Sequence, residues 1–205
     1  MKKILIVCLL LYSILLSACG NNSSQNTTNT VTEASTQAEP TKSIIETNSS
    51  NEDYATITIG ETISTDFTEI ELINVSIDFD VYPKDTSGVF LYYPGTEGKQ
   101  YFQLIGNLKN TFTNMYEVNN IVVHFTFDDK YEYDGYVLAD SGLFEAYDYQ
   151  VDPFETVDIH LMGEIPDELI NSFHKCIIEF GFGENFQKVK SMDSCEYKYR
   201  VEYIK

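Results

Sequence analysis

The sequence predicts an all-β domain in which two antiparallel sheets pack face to face as a β-sandwich. Apolar and polar residues alternate with a period of two in seven segments after Tyr54, and turn-forming residues separate these segments. Of the 28 Tyr and Phe residues in the 205-residue chain, 27 lie at or beyond Tyr54. Such a series of one-sided strands is typical of a sandwich. A closed barrel is the alternative architecture.

The strands are identified by apolar positions that lie on one face of each segment. In chain order these positions are Ile57 and Ile59; Val75, Ile77, Phe79 and Val81; Phe102, Leu104 and Leu108; Ile121, Val123, Phe125 and Phe127; Val157, Ile159 and Leu161; Cys176, Ile178, Phe180 and Phe182; and Tyr197, Tyr199, Val201 and Tyr203. One short helix is predicted over residues 166–173, because Pro166 suits a first helical turn and two acids follow it.

A secretory signal peptide is predicted for residues 1–18. Two lysines precede an apolar run, residues 4–16, that would rise about 20 Å as a helix. A helix that spans a bilayer must cross about 30 Å of hydrocarbon, so the run is too short for that role. A transmembrane anchor that stays in place is the alternative.

The tetrad Leu16-Ser17-Ala18-Cys19 at the end of the apolar run resembles the lipobox of bacterial lipoproteins. The resemblance implies cleavage between Ala18 and Cys19 and a diacylglyceryl group on the sulfur of Cys19. One acyl chain binds a membrane only marginally, whereas two chains anchor a protein stably. We therefore expect a lipid anchor at the cell membrane, with the chain on its extracellular face.

Residues 19–53 are expected to form the lipidated cysteine and a flexible tether, and residues 54–205 the folded domain. In the 34 residues from Gly20 to Asp53, 21 are Ser, Thr, Asn or Gln and none is aromatic. This composition buries too little apolar surface to offset the entropy of ordering. The apolar pair Ile44-Ile45 is the one part of the tether that could pack on the domain.

The chain is strongly acidic, which limits its partners. Its 32 acidic and 13 basic residues give a formal charge of −19. Removal of the two leader lysines takes this to −21, of which the tether holds −4 and the domain −17. Nucleic acid binding depends on basic residues that neutralise phosphates, so no nucleic acid partner is expected. Anionic headgroups are repelled as well, and membrane contact should come through the lipid alone.

Four short motifs follow one another along the domain: Ile59-Gly60-Glu61-Thr62, Lys109-Asn110-Thr111, Tyr131-Glu132-Tyr133-Asp134 and Gly163-Glu164-Ile165-Pro166. Their order is similar to that in the DUF4352 group of Gram-positive surface lipoproteins, over most of residues 57–182. The resemblance implies an immunoglobulin-like β-sandwich with one short helix, and it brings no catalytic residues. The chain departs from the family pattern at Asp152-Pro153-Phe154-Glu155, where the family usually has Pro-Gly.

The histidines and acids lack the spacing of a known catalytic or metal site. His124, His160 and His174 show neither HxH nor HExxH spacing, and the chain has no GxSxG elbow and no P-loop. We therefore predict a protein that is not an enzyme and that uses no metal and no cofactor. Two acidic clusters keep calcium binding open as an alternative. They consist of Asp78, Asp80 and Asp85, and of Asp128, Asp129 and Asp134.

Cys176 and Cys195 are the two cysteines of the domain. Outside the cell, an even pair is consistent with a disulfide worth about 3 kcal/mol. If their strands form a direct hairpin, however, the two residues lie about 20 Å apart, well beyond the Cα limit of about 7 Å. A bridge requires strands in facing sheets or a bulge, and two buried thiols are the other outcome.

Tyrosines are concentrated in residues 128–152, among eight acids. Tyrosine offers a large, stiff, amphipathic contact at low entropic cost, which is why recognition surfaces favour it. This segment is therefore a candidate recognition surface, and completing the outer face of a hairpin is the alternative role. The candidate residues are Tyr131, Tyr133, Tyr136, Tyr147 and Tyr149.

Taken together, these features predict a membrane-anchored extracellular lipoprotein that acts as a non-enzymatic binding module for an unknown protein or glycan partner. A structural or regulatory accessory of the envelope, with or without bound calcium, is the alternative from a different class. A hydrolase that uses paired Asp or Glu residues comes third.

Overall fold

The computed structural model of the chain describes residues 44–46, 54–140 and 150–205. The predicted signal peptide, Cys19 and most of the predicted tether lie outside these residues. In chain order the strands are β1 (Ile44–Glu46), β2 (Ala55–Thr56), β3 (Thr62–Ser64), β4 (Thr68–Asp78), β5 (Lys99–Asn110), β6 (Tyr116–Glu117), β7 (Val122–Phe127), β8 (Tyr131–Asp140), β9 (Gln150–Val151), β10 (Thr156–Pro166), β11 (Lys175–Phe182) and β12 (Tyr197–Ile204). The α-helix α1 covers Asp167–Ser172, and short 3₁₀ turns cover Val118–Asn120, Glu184–Phe186 and Met192–Ser194.

Ten of these strands form one curled ladder in the order β1-β3-β4-β5-β10-β8-β7-β11-β12-β2, while β6 pairs with β9. The ladder divides into two facing sheets. Sheet A contains β1, β3, β4, β5, β10 and the second half of β8, and sheet B contains the first half of β8 with β7, β11, β12 and β2. The prediction of an all-β sandwich is confirmed. Within the described residues the end strands β1 and β2 do not pair with each other, so the ladder is not a closed barrel.

Two places join the sheets. In β8, residues 131–135 pair with β7 of sheet B, and residues 136–140 pair with β10 of sheet A. At the other edge β2 pairs with β12, and the chain then turns at Gly60, whose φ is +95°, so that β3 pairs with β4. Glycine adopts this φ without the steric penalty of a side chain. The antiparallel pattern has two exceptions, because β1 runs parallel to β3 and β2 runs parallel to β12.

The core lies between the sheets and is rich in aromatic rings. Phe102 of β5 makes edge-to-face contacts with Phe125 and Phe127 of β7, at centroid distances of 5.6 and 5.2 Å. Phe67 makes the same kind of contact with Phe182 of β11 at 6.0 Å. Such contacts add to the stabilisation from burial. The predicted apolar stripes of β5, β7, β10, β11 and β12 supply most of this core, and the predicted helix is confirmed as α1.

The strand before the first long connection differs from its prediction. Pattern alone predicted a stripe from Val75 to Val81, whereas β4 starts at Thr68, buries Ile70 and Leu72, and ends at Asp78. The pairing with β5 shifts between residues 72 and 74, so one extra residue changes the inward positions from even to odd numbers. Thr68, Ile70 and Leu72 alternate with polar residues in their own phase, so this one strand contains two separate apolar stripes.

The strand β1 lies inside the range predicted as a tether. Its residues pair in parallel with β3, with Ile44 opposite Thr62 and Ile45 opposite Ile63. The apolar pair at positions 44 and 45 therefore belongs to the edge of sheet A.

Candidate functional site

Residues 79–98, which we call the crossing segment, connect β4 to β5 across the outer face of sheet A, the face that points away from the core. Although β4 and β5 are neighbours, the segment reaches as far as β8. The backbone N–H of Lys84 donates to the carboxylate of Asp140 in β8 at 2.7 Å. The Nζ atom of Lys84 contacts Asp158 of β10 at 3.0 Å. These two bonds fasten the segment across the sheet.

The two ends of the crossing segment meet at its base. Val81 and Tyr93 form an antiparallel bridge with two backbone hydrogen bonds of 2.9 Å. The carboxylate of Asp80 accepts a hydrogen bond of 2.8 Å from the backbone N–H of Gly95. A Cβ atom at Gly95 would overlap the carbonyl oxygen and ring of Phe79, so this close approach requires glycine.

An apolar cluster separate from the core, the outer cluster, lies between the crossing segment and sheet A. Its buried members are Val81, Tyr101, Leu138 and Met162, with Tyr93 and Tyr136 packed against them. The Tyr101 hydroxyl donates to the carbonyl oxygen of Pro94 at 3.1 Å. Burial raises the pKa of the Tyr136 hydroxyl. The outer cluster therefore holds the segment by the same apolar burial that stabilises a core.

A row of hydrogen bonds, the polar chain, runs beneath the crossing segment over three strands of sheet A. Nδ1 of His160 lies 2.9 Å from Oε1 of Gln103, and Nε2 of Gln103 donates to the Asp78 carboxylate at 2.9 Å. The Ser76 hydroxyl donates to the same carboxylate. Because the Gln103 amide gives its N–H to Asp78, its oxygen faces His160 and accepts the Nδ1 proton.

Two opposing effects act on the pKa of the buried histidine. Burial lowers the pKa of His160 below its ordinary value of 6.5, while Asp140, Asp158 and Asp78 act in the opposite direction. His160 and Asp140 are both at most 9% exposed, and the crossing segment bonds to Asp140 directly. These titratable groups hold the segment in place rather than lining an open cleft.

The side of the crossing segment that faces solvent carries an aromatic platform, formed by Tyr82, Phe90 and Tyr92. The rings of Tyr82 and Tyr92 stack at 5.1 Å with an interplanar angle of 10°, and Phe90 meets Tyr82 edge-on at 6.2 Å. Tyr82 is 50% exposed and Tyr92 is 46% exposed. Three exposed apolar residues extend the surface, namely Phe79, Val89 and Leu91. Exposed apolar and aromatic residues grouped in one segment are a common feature of interaction sites.

The surface around the platform has an excess of negative charge. Three lysines on this face already pair with acids: Lys84 with Asp158, Lys99 with Glu164, and Lys109 with Glu69. Within the described residues, no ion pair involves the three acids of the crossing segment. These acids are Asp80, Asp85 and Glu97.

The structure separates the tyrosines that the sequence grouped as one recognition surface. Tyr133 turns towards the core and contacts Phe127 edge-on at 6.0 Å. Tyr136 turns to the opposite face and packs on the outer cluster. Tyr131 is exposed beneath the Nζ atom of Lys130, which lies 4.6 Å from its ring centroid. The period of two places odd and even residues of β8 on opposite faces. The other two candidates, Tyr147 and Tyr149, lie outside the described residues.

The two acidic clusters considered for calcium do not converge. Asp78 belongs to the polar chain, Asp80 bonds to Gly95, and Asp85 accepts from a backbone N–H two residues later. In the other cluster Asp128 accepts from two backbone N–H groups, and hydrogen bonding to them lowers its pKa. Within the described residues, no group of three or more His, Cys, Asp or Glu side chains is arranged to hold a metal ion.

The two domain cysteines are free, buried thiols, so the disulfide considered from the sequence does not form. In the hairpin of β11 and β12, Cys176 pairs with Tyr203, while Cys195 precedes the opposite end, where Phe182 pairs with Tyr197. The strands lie in the same sheet, which is the arrangement that keeps the two sulfur atoms apart. Cys19, the predicted site of lipid attachment, and Ala18 lie outside the described residues.

A shallow polar groove of about 260 Å³ lies at the other end of the outer face of sheet A. Its lining residues are Thr62, Glu69, Glu71, Asn107, Lys109 and Thr156. Among the described residues, the buried hydroxyl of Thr62 has no hydrogen-bond partner.

The crossing segment was not anticipated from the sequence, although it contains a visible signal. Residues 89–93 are five consecutive apolar or aromatic residues, placed between Gly88 and Pro94. They do not alternate, so a search for period-two strands passes over them. In the structure Tyr93 of this run packs on the outer cluster, whereas Val89, Leu91 and Tyr92 are exposed.

Neither a protein-family profile nor a curated protein of similar sequence matches the chain. The DUF4352 resemblance therefore rests on its short motifs, and these have scaffold roles here. Asn110, for example, is fully buried and uses its amide to donate to two backbone carbonyls and accept from one N–H group. No helix within the described ranges has the length and apolar character needed to cross a membrane.

Three solved structures align with the chain to different extents. An uncharacterized β-sandwich protein of Clostridium difficile 630 aligns with a TM-score of 0.60 at 24% identity, covering 77% of this chain and 99% of the other. A conserved hypothetical protein of Bacillus anthracis gives a TM-score of 0.39 at 12% identity, covering 59% and 87%. The ycdA protein of Bacillus subtilis subsp. subtilis strain 168, a candidate lipoprotein, gives 0.34 at 10%, covering 70% and 38%. The first of these shares its β-sandwich fold with the present chain.

Proposed function

We propose that the protein is a non-enzymatic binding module, held at the outer face of the cell membrane by a lipid on Cys19. Its recognition surface is the aromatic platform of the crossing segment. The anchor follows from the lipobox-like tetrad at residues 16–19, and the surface follows from the geometry of sheet A.

The main support for the proposal is that the two sides of the crossing segment differ. Its inner side is bonded to sheet A, and its outer side carries aromatic rings. Beneath it, Lys84 bonds to Asp140 and Asp158. Above it, the stacked rings of Tyr82 and Tyr92 face solvent. Exposing such rings in water is unfavourable unless a partner covers them. A braced loop on a rigid sandwich is also the usual location of binding residues.

The buried polar groups beneath the segment support binding rather than chemistry. His160, Gln103 and Asp78 bond to one another, and Asp140 bonds to the segment's backbone. A catalytic group must reach its substrate. Asp140 instead uses its carboxylate to position the loop, and His160, Gln103 and Asp78 form hydrogen bonds within sheet A.

The anchor is tested by replacing the lipidated sulfur. Cys19→Ala should abolish both acylation and cleavage of the leader, and Cys8→Ala, within the leader, is the matched control. Metabolic labelling with a radioactive fatty acid, followed by membrane fractionation, is the measurement. We expect Cys8→Ala to incorporate the labelled fatty acid and to be processed normally, and we expect Cys19→Ala to do neither. Normal processing and membrane attachment of Cys19→Ala would refute the lipid anchor.

The surface is tested on intact cells that display the protein. Photo-crosslinkers placed at the exposed positions Val89 and Gly88 should capture a partner, which mass spectrometry identifies. Tyr92→Ser should remove the crosslink, whereas Tyr131→Ser, at an equally exposed tyrosine on β8, should retain it. Equal capture by both variants would show that the platform is not the recognition surface.

A further inference from the structure

We infer that the aromatic platform binds a basic polypeptide segment, one that offers Lys or Arg side chains from an extended chain. This inference rests on the proposed function above and specifies the chemistry of its partner.

The ring geometry suits a cation. Tyr82 and Tyr92 stack nearly parallel and are each about half exposed. The Tyr82 hydroxyl donates to the Asp80 carboxylate at 3.2 Å, which places an anionic group beside the ring. A cation over this ring would therefore meet an electron-rich face and a carboxylate together. Arg and Lys side chains over tyrosine rings are attracted in this way.

The chain contains a complete version of the same arrangement on sheet B. The guanidinium of Arg200 lies 4.7 Å from the ring centroid of Tyr54 and donates to the Glu179 carboxylate at 2.6 Å. Ring, carboxylate and cation are all present there. On the crossing segment, Tyr82 and Asp80 supply the ring and the carboxylate, and within the described residues no Lys or Arg lies over the platform.

Charge complementarity selects the class of partner. The nearby Lys84 and Lys99 already pair with acids, and among the described residues no basic side chain forms an ion pair with the carboxylates of Asp80, Asp85 or Glu97. A neutral glycan would leave these charges unmatched, and an anionic lipid surface would be repelled by them. A basic segment matches both the charge and the rings.

The flanks of the platform explain why the partner is a polypeptide rather than a small amine. Val89 is 96% exposed and Leu91 is 65% exposed, so apolar surface extends beyond the rings. A small cation would cover one ring and leave this surface in water. An extended chain with alternating basic and apolar side chains covers both.

The experiment measures fluorescence anisotropy with the mature chain from Cys19 to Lys205 in a neutral detergent. The ligand is a fluorescein-labelled decapeptide of alternating arginine and leucine, and its matched control replaces each arginine by citrulline, which is uncharged. We expect the arginine peptide to bind about tenfold more tightly than the citrulline peptide. Tyr92→Ser should weaken binding of the arginine peptide about tenfold, whereas Tyr131→Ser should leave it unchanged. Thermal melting confirms that both variants fold.

Several results would overturn the inference. Equal affinity for both peptides would show that the protein does not distinguish a charged peptide from an uncharged one. If Tyr92→Ser and Tyr131→Ser changed the affinity for the arginine peptide equally, or if neither changed it, the contact would lie elsewhere on the acidic surface. Absence of binding, or tighter binding of the neutral oligosaccharide chitotetraose with loss in Tyr92→Ser, would exclude a basic polypeptide. In the last case the platform would remain the recognition surface, so the proposed function would survive while the present inference fails.

Discussion

His160 and Gln103 form a buried hydrogen bond of 2.9 Å beneath the crossing segment, between Nδ1 of the ring and Oε1 of the amide. The bond joins β10 to β5, and Asp78 extends it to β4. The Asp78 carboxylate fixes the orientation of the Gln103 amide, so the amide oxygen faces the His160 ring. The Nδ1 atom of His160 therefore carries a proton and donates it to Gln103, whether the ring is neutral or positively charged. His160 is thus a structural residue of the outer face of sheet A, beneath the crossing segment.

The stability of the protein should fall as the pH falls through and below the ordinary histidine pKa. Burial lowers the pKa of His160 in the folded state, against the opposing effect of Asp140, Asp158 and Asp78. Between the two pKa values the unfolded chain binds more protons, so acidification favours unfolding there. Thermal melts from about pH 7 down to about pH 5 measure the slope.

His160→Gln should flatten this pH dependence, since it removes the titrating group. His124→Gln is the matched control, because the His124 side chain is 37% exposed and pairs with Asp134 at the surface. A profile that stays as steep in His160→Gln as in the wild-type chain would contradict the assignment.

Phe154→Gly should stabilise the protein. Phe154 has a φ of +65° in the turn after Pro153, and it is 66% exposed. The Glu155 N–H donates to the Asp152 carbonyl at 3.1 Å, so the turn keeps the geometry that normally places glycine at this position. The left-handed conformation costs an ordinary residue about 1–2 kcal/mol, and the greater freedom of glycine in the unfolded chain offsets part of the gain.

We expect an increase in the free energy of unfolding of about 0.5–1 kcal/mol, measured by urea denaturation. Phe154→Ala retains the penalty at φ and should give no comparable gain. An equal gain in both variants would mean that the exposed phenyl ring, not the backbone, is the source.

Two buried threonines should respond in opposite directions to the same substitution. Thr62→Val removes a buried hydroxyl that has no partner in the part of the chain that the structure describes, and it should stabilise the fold by about 1 kcal/mol. Thr68→Val removes a hydroxyl that donates to the Lys109 carbonyl at 3.0 Å and accepts from Tyr116 at 3.0 Å. It should destabilise the fold by about 1–3 kcal/mol, because both partners lose their bond. Destabilisation by both variants in urea denaturation would show that the Thr62 hydroxyl is satisfied in solution.

The thermal midpoint should not depend on a thiol reductant. Cys176 and Cys195 are free, and burial raises the pKa of both thiols, so little thiolate is available for exchange. We expect slow reaction with a disulfide reagent in the folded state and fast reaction in guanidinium. A midpoint that drops on addition of dithiothreitol would indicate a disulfide between them. Cys195→Ser, which removes any pairing, should then reproduce that drop.

The sequence by itself determined the class of fold and predicted the strands β4, β5, β7, β10, β11 and β12, in part or in full. The long strand β8 was not among the predicted stripes, and Ile57 and Ile59, predicted as a strand, lie between β2 and β3. Strict alternation marked Phe102, Phe125, Ile159, Ile178 and Val201 as core positions, and each is at most 1% exposed. Alternation is a local property, which is why it can be read without knowing what a strand pairs with. The sequence left a bridge and two free thiols open for Cys176 and Cys195, because the outcome depends on which strands pair. The lipid anchor remains a prediction from four adjacent residues.

Tertiary structure alone decided where the candidate site lies. Asp140 and Lys84 are 56 residues apart in the chain, and only the strand order β4-β5-β10-β8 brings them within 2.7 Å. The same order sends the crossing segment over the outer face of sheet A and turns its rings to solvent. Strand order depends on which distant segments pair, and this depends on the free energy of the whole fold, so no local pattern records it. That is why the sequence drew attention to Tyr133 and Tyr136, which pack on the core and on the outer cluster, whereas the structure exposes Tyr82 and Tyr92.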